Sequence, residues 1–222
     1  MTIKAVIFDL DGTLLNTLED IVNSLNTILA RHNYPQHSVD DYRFLVGYGM
    51  RELVRKALPD GEATDESIDR LFPEFMEHYG KNWNILTHPY EGIDTLLDAI
   101  TAHGIKLAIL SNKADPFTKV CAEVLLNTWH FDVVMGHHSA IAHKPAPEGA
   151  LLVAQMLGVE PAEILYVGDS GVDMLTATRA GMFPLGVLWG FRPESELLEY
   201  GAKMVVQKPE EIIALLTSSS TN

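Results

Sequence analysis

IKAVIFDLDGTLLNT, from Ile3 to Thr17, ends an apolar run in two acids one residue apart and then turns at a glycine. A short β-branched and aromatic run bounded by such a turn reads as a buried strand. Successive side chains of an extended backbone alternate faces, so Asp9 and Asp11 are expected on one side, with Leu10 turned the other way into packing. Two like charges held together at a strand end persist by sharing a proton or by enclosing a cation.

Five further runs read as strands: KLAILS near Ile109, DVVM near Val134, ILYVGD near Tyr166, FPLGVLW near Val187 and KMVV near Val205. Amphipathic segments such as IDTLLDAITAHG and EGALLVAQMLG lie between most of them, with Gly104 and Gly158 where helix C-caps are expected. Strand and helix in alternation predict an α/β fold, a doubly wound parallel sheet covered on both faces. The rhythm breaks between about Leu18 and Leu86, where LEDIVNSLNTILARH, VDDYRFLVG, MRELVRKAL and ESIDRLFPEFMEHYGKNW read as consecutive helices. The expected organisation is a Rossmann-like core over residues 1–15 and 87–222, with an all-helical insertion over 16–86. The polar tail TSSSTN is expected to fray.

The 222 residues suffice for one sizeable core with a small insertion. The single cysteine, Cys121, excludes an intramolecular disulfide and is expected to pack as a small hydrophobe. No apolar stretch approaches the roughly twenty residues that span a bilayer, and the N-terminal run lacks the pattern of a secretory signal, so a cytoplasmic protein without a membrane partner is expected. A formal net charge of −14 argues against a nucleic-acid partner. It would also repel an anionic ligand, which must then be held by local cations or a metal. No heptad pattern marks an oligomer interface.

In a doubly wound sheet, ligands bind beyond the carboxyl ends of the strands. The groups predicted there are Asp9, Asp11, Gly12 and Thr13 after the first strand and Ser111, Asn112 and Lys113 after the second. Lys144 follows the third, and Asp169 follows the fourth, with Asp173 four residues later. Three acids, a hydroxyl and a lysine at successive strand ends suit phosphate-ester chemistry. Asp9 and Asp169 offer the oxygen ligands magnesium prefers, while Ser111 and Lys144 would hold phosphate oxygens. His137, His138 and His143 fit no common zinc spacing and are read as a polar loop near the phosphate. Tyr79, Trp83 and Tyr90 read as packing contacts.

DLDGTLLNT, LSN, HKPAPEG and GDSGVDM resemble, in order and spacing, the four motifs of the haloacid dehalogenase superfamily of phosphotransferases. The helical insertion resembles that superfamily's cap. WGFRPESELLEYGA at Trp189 and VGYGMRELV at Val46 are similar to phosphoglycolate phosphatases, although Asn16 stands where these often carry an acid.

The resemblance implies that Asp9 is the nucleophile and Asp11 the general acid and base. It implies a Mg2+ cofactor held by Asp9, Asp169 and the backbone carbonyl of Asp11, with Asp173 supporting the metal shell through water or Asp169. Thr13, Ser111, Asn112 and Lys144 would bind phosphate. From the cap, Gly49 would turn helix-start amides to the substrate and Arg51 would meet a substrate carboxylate. An acid at Asp11 is not the pattern of the true dehalogenases, whose halide leaving group needs no proton. The implied activity is hydrolysis of a small phosphate ester, 2-phosphoglycolate first, with a sugar-phosphate mutase or a pyrophosphatase as alternatives.

Overall fold

The structure of the protein, a computed structural model, describes residues 2–218. Its six-stranded sheet is parallel throughout. It comprises β1 (Ala5–Phe8), β4 (Lys106–Ala114), β5 (Val133–His137), β6 (Ile164–Gly168), β7 (Phe183–Val187) and β8 (Met204–Val206), in the order β5-β4-β1-β6-β7-β8. The chain moves outward from β1 on one side through β4 and β5, then returns to build the other side from β6. This is the doubly wound order, and it puts the topological switch point at β1.

Alternation along the strands explains why both faces are covered. Val6 and Phe8, Leu107 and Ile109, and Leu165 and Val167 enter one apolar cluster, whereas Ala5 and Ile7, Ala108 and Leu110, and Ile164 and Tyr166 enter the other. The second face is covered by α7 (Glu148–Leu157) and α8 (Gly171–Arg179). The first receives α5 (Ile93–Ala102), α6 (Asp115–Leu125) and α10 (Pro209–Ser218), and its cluster continues into the helical insertion. Cys121 is fully buried in that cluster, and burial pushes its thiol up to about 11, which suits a packing residue. Gly158 caps α7 at φ 65° and Gly104 follows α5 at φ 67°, left-handed positions that favour glycine.

The insertion consists of α1 (Leu18–Arg31), α2 (Val39–Leu45), α3 (Met50–Ala57) and α4 (Asp65–Asn82), as the apolar spacing predicts. A feature without an expected counterpart is the ribbon on which it is carried. Leu15–Asn16 (β2) pairs antiparallel with His88–Pro89 (β3), so the chain leaves and re-enters through adjacent segments. Two-residue strands carry too little pattern to be read from a sequence. Beside the ribbon, the buried carboxylate of Asp20 accepts hydrogen bonds from the amides of Leu86 and Thr87 and from the Thr87 hydroxyl, at 2.8–3.1 Å.

The second strand also runs further than KLAILS, so Ser111, Asn112 and Lys113 sit within the end of β4 rather than after it. The pairing with β5 is irregular between Leu110 and Ala114. Of the tail TSSSTN, Thr217 and Ser218 close α10 and the remainder lies outside the described residues. Among the described residues, no helix is long and apolar enough to cross a membrane.

Candidate active site

The carboxyl ends of β1, β4 and β6 meet in a cavity with about 30 Å³ of free volume, room for one or two waters. Its walls include Asp9, Asp11, Ser111, Lys113, Asp169 and Arg192, and α3 with the loop before it closes the far side through Gly49, Met50 and Leu53. The Asp9 amide donates to the Val167 carbonyl (2.9 Å), extending the β1–β6 pairing and anchoring the first acid beside Asp169.

Ligand oxygens of Asp9, Asp169 and Asp173 lie within 4.8 Å of one another, all buried. Lys144 Nζ sits 2.8 Å from Asp9 Oδ1 and 2.7 Å from Asp173 Oδ1. Three carboxylates against one ammonium leave two negative charges, which is the charge of a divalent cation. Burial pushes Asp9 up to about 7; Lys144 opposes the shift and Asp173 adds to it. Burial, followed by the charges of Asp173 and Asp9, holds Asp169 well above the ordinary carboxylate range. The contact of Asp9 Oδ1 with Lys144 is an ion pair without hydrogen-bond geometry, and this oxygen has no hydrogen-bond partner among the described residues. Open carboxylate oxygens in an over-acidic buried cluster fit a hard divalent ion.

Glycines shape this corner. A Cβ at Gly12, whose φ is 88°, would overlap the Asp169 carboxylate, and one at Gly190 would overlap both Asp169 and the Gly12 carbonyl. The Phe191 amide holds Asp169 Oδ2 at 2.7 Å, leaving Oδ1 for another partner. Asp173 has both oxygens occupied, one by Lys144 and the other by the hydroxyl and amide of Ser170 in the capping box of α8. It is fully buried and is not part of the cavity wall.

The remaining expected residues divide into those that reach the cavity and those that do not. Ser111 lines it. Thr13 is fully buried, its hydroxyl without a partner among the described residues. Asn112, expected to bind phosphate, spends its amide on backbone. It accepts from the Lys144 amide (2.8 Å) and donates to the carbonyls of Lys144 (3.0 Å) and Gly47 (2.9 Å), so it positions the Lys144 loop instead. Gly49, at φ 92°, is the N-cap of α3 and packs against His143, whose ring stacks on His137 at 3.3 Å. Arg51 is half exposed and paired with Asp69 on α4, outside the cavity wall. The structure does not bring it to the site because helix α3 turns Leu53 and Val54 inward and Arg51 outward.

Two cations had no role assigned from the sequence. Lys113 Nζ, fully buried, donates to both oxygens of Asp11 (2.9 and 3.2 Å) and to the Tyr79 hydroxyl (2.8 Å), tying the second acid to α4. Arg192, in the loop after β7, is the other. The available signal for Lys113 was a lysine directly after Ser111-Asn112 at a strand end; for Arg192 it was a cation beyond the strand next to β6.

Residues 6–187 match the family profile of haloacid dehalogenase-like hydrolases. The chain belongs to that family. It is 30% identical over 214 residues to a phosphoglycolate phosphatase of Aquifex aeolicus, covering 96% of each chain. It is 32% identical over 218 residues to the N-acetylmuramic acid 6-phosphate phosphatase of Pseudomonas aeruginosa, covering 97% of this chain and 96% of that one. A crystal structure of a candidate phosphoglycolate phosphatase from Lactobacillus delbrueckii superposes with a TM-score of 0.91 at 30% identity, over 97% of this chain and 99% of the other. A candidate beta-phosphoglucomutase from Thermotoga maritima superposes at 0.76 and 28% identity, over 97% and 99%. Within the haloacid dehalogenase-like hydrolases, this chain is phosphoglycolate phosphatase-like.

Proposed function

We propose that this phosphatase hydrolyses a small carboxylate-bearing phosphomonoester, 2-phosphoglycolate first, through an aspartyl-phosphate on Asp9 and with Mg2+ as cofactor. The convergence of Asp9, Asp11, Lys144 and Asp169 at the switch point carries the reading. Asp9 attacks phosphorus, the bond to the leaving oxygen breaks, and Asp11 gives that oxygen its proton. Asp11 then takes a proton from water, whose oxygen attacks the phosphoryl group and frees Asp9 and inorganic phosphate. Lys144 and the Ser111 hydroxyl hold non-bridging oxygens throughout. Asp9, Asp169 and the backbone carbonyl of Asp11 would hold the metal, which when bound supplies the positive charge that lets a carboxylate approach an anionic ester.

The helical segment, residues 16–86, acts in this reading as a cap. A cavity of about 30 Å³ is too small to admit an ester without opening, so closure excludes bulk water and opening releases product. The substrate class is supported by the two relatives named for glycolate and muramic acid esters, both of which carry a carboxylate. The ester would be met in the cytoplasm as a free metabolite.

Asp9→Asn is expected to abolish phosphate release while leaving the circular dichroism spectrum and thermal midpoint close to wild type. Retained turnover would overturn the nucleophile assignment. A phosphate-release panel including glucose 1-phosphate and pyrophosphate separates the alternatives, because a mutase converts its sugar phosphate with little free phosphate and a pyrophosphatase prefers the anhydride.

A further inference from the structure

Arg192 is 6% exposed and lines the same cavity as Asp9 and Asp169. Its guanidinium is only partly committed. Nη2 donates to the carbonyls of Val46 (2.8 Å) and Phe44 (3.3 Å), Nε faces Glu196 at 3.3 Å, and the group lies over the Phe44 ring at 5.4 Å. Nη1 is buried and has no hydrogen-bond partner among the described residues. Buried guanidinium donors left open are costly, and they are rare unless something transient fills them.

The surroundings show what would fill them. The cavity's other lysine is spent, with Lys113 bound to Asp11 and Tyr79. Lys144 serves Asp9 and Asp173. Arg192 also adjoins Lys56, whose ammonium is pushed below its ordinary value by burial and by the Arg192 charge, despite the opposing effect of Glu52. Glu196 shares its Oε1 with the Gly171 amide, so the carboxylate paired with Arg192 is divided between two donors. Both contacts of Nη2 are carbonyls at the C-terminal end of α2, so the arginine occupies the seam between the core and the helical insertion.

We infer that Arg192 is the specificity-determining residue of this site. Its Nη1 takes the carboxylate of the substrate's leaving group, while Lys144, Ser111 and the metal that the acids would hold take the phosphate end. The inference rests on the phosphatase reading and replaces Arg51 as the carboxylate partner. It assigns the arginine two tasks that share one guanidinium: closing the seam through Nη2 and recognising the substrate through Nη1.

The test compares kcat/KM for 2-phosphoglycolate and for 2-hydroxyethyl phosphate, its analogue without the carboxylate, in wild type, Arg192→Gln and Arg192→Lys with Mg2+. Wild type is expected to prefer the carboxylate ester. Arg192→Gln should lose on the order of 100-fold on 2-phosphoglycolate and only a few-fold on the analogue. Arg192→Lys, which can still reach the Val46 carbonyl but lacks the second arm, should show the same direction if the glutamine variant fails to fold. Equal losses on both esters, or no loss, would overturn the inference and assign the arginine to the seam alone, with water on Nη1. If wild type releases phosphate from neither ester, the 2-phosphoglycolate reading fails. Calorimetric binding of both esters to Asp9→Asn and to the Asp9→Asn/Arg192→Gln pair then decides the anchor, and an affinity difference unchanged by Arg192→Gln would overturn it.

Discussion

Lys113, fully buried, pairs with the partly exposed carboxylate of Asp11 and joins the second acid of the opening motif to α4 through the Tyr79 hydroxyl. Two hydrogen bonds from one ammonium fix the carboxylate's orientation, which matters for a group that must reach a leaving oxygen within hydrogen-bond distance. Lys113→Met is therefore expected to lower kcat by about 10- to 100-fold for an alkyl phosphate, whose leaving oxygen needs a proton. For p-nitrophenyl phosphate, whose leaving group does not, the loss should be a few-fold. Equal losses on both esters, with the fold verified by thermal unfolding, would reduce Lys113 to a structural role. At this scale the acids and Lys144 stand out in the sequence, but the contacts made by Asn112 and Arg51 do not. Both are polar residues beside a motif, and only the carbonyls of Gly47 and Lys144, or the face of α3 turned outward, determine what they touch.

The elements were largely legible. Period-two alternation in β1, β4 and β6 and the spacing of three and four in α1 to α4 follow from burial on one or two faces, which a linear pattern records directly. The ribbon of β2 and β3 was not, because two residues make no period, and its stability comes from pairing and from the Asp20 clamp. Removing that acceptor strands two amides and a hydroxyl beside the ribbon. Asp20→Ala is expected to cost about 2–3 kcal/mol, read as a lower urea midpoint with an unchanged m-value. A change below the error of such a titration would mean that the ribbon holds the insertion without the clamp.

For the molecule as a whole, the buried acids couple folding to protons and to metal. With Asp9 raised from 3.8 to about 7, the metal-free folded chain retains a proton that the unfolded chain has released. Its stability therefore falls as pH rises through that window and levels off above it. Each unit of such a shift corresponds to about 1.4 kcal/mol, or several degrees at roughly 2–4 °C per kcal/mol for a chain of this size. In a chelator, the thermal midpoint of wild type relative to Asp9→Asn should fall between about pH 4 and pH 7. The proposed magnesium would compete with that proton and should raise the wild-type midpoint more at pH 8 than at pH 5. A relative midpoint that climbs with pH would show that Lys144 dominates and keeps Asp9 ionised.

The sequence by itself determined the strand and helix alternation, the helical insertion after the first strand, and the acids and lysine at the strand ends, since each is written in adjacent residues and in local periods of burial. The tertiary structure decided the partners. Lys113 meets Asp11 across 102 positions, and Arg192 meets Val46 across 146. Such pairs form where the sheet order and the ribbon bring distant loops together, and a buried charge takes whichever partner that geometry supplies, for which no local pattern in the chain is required.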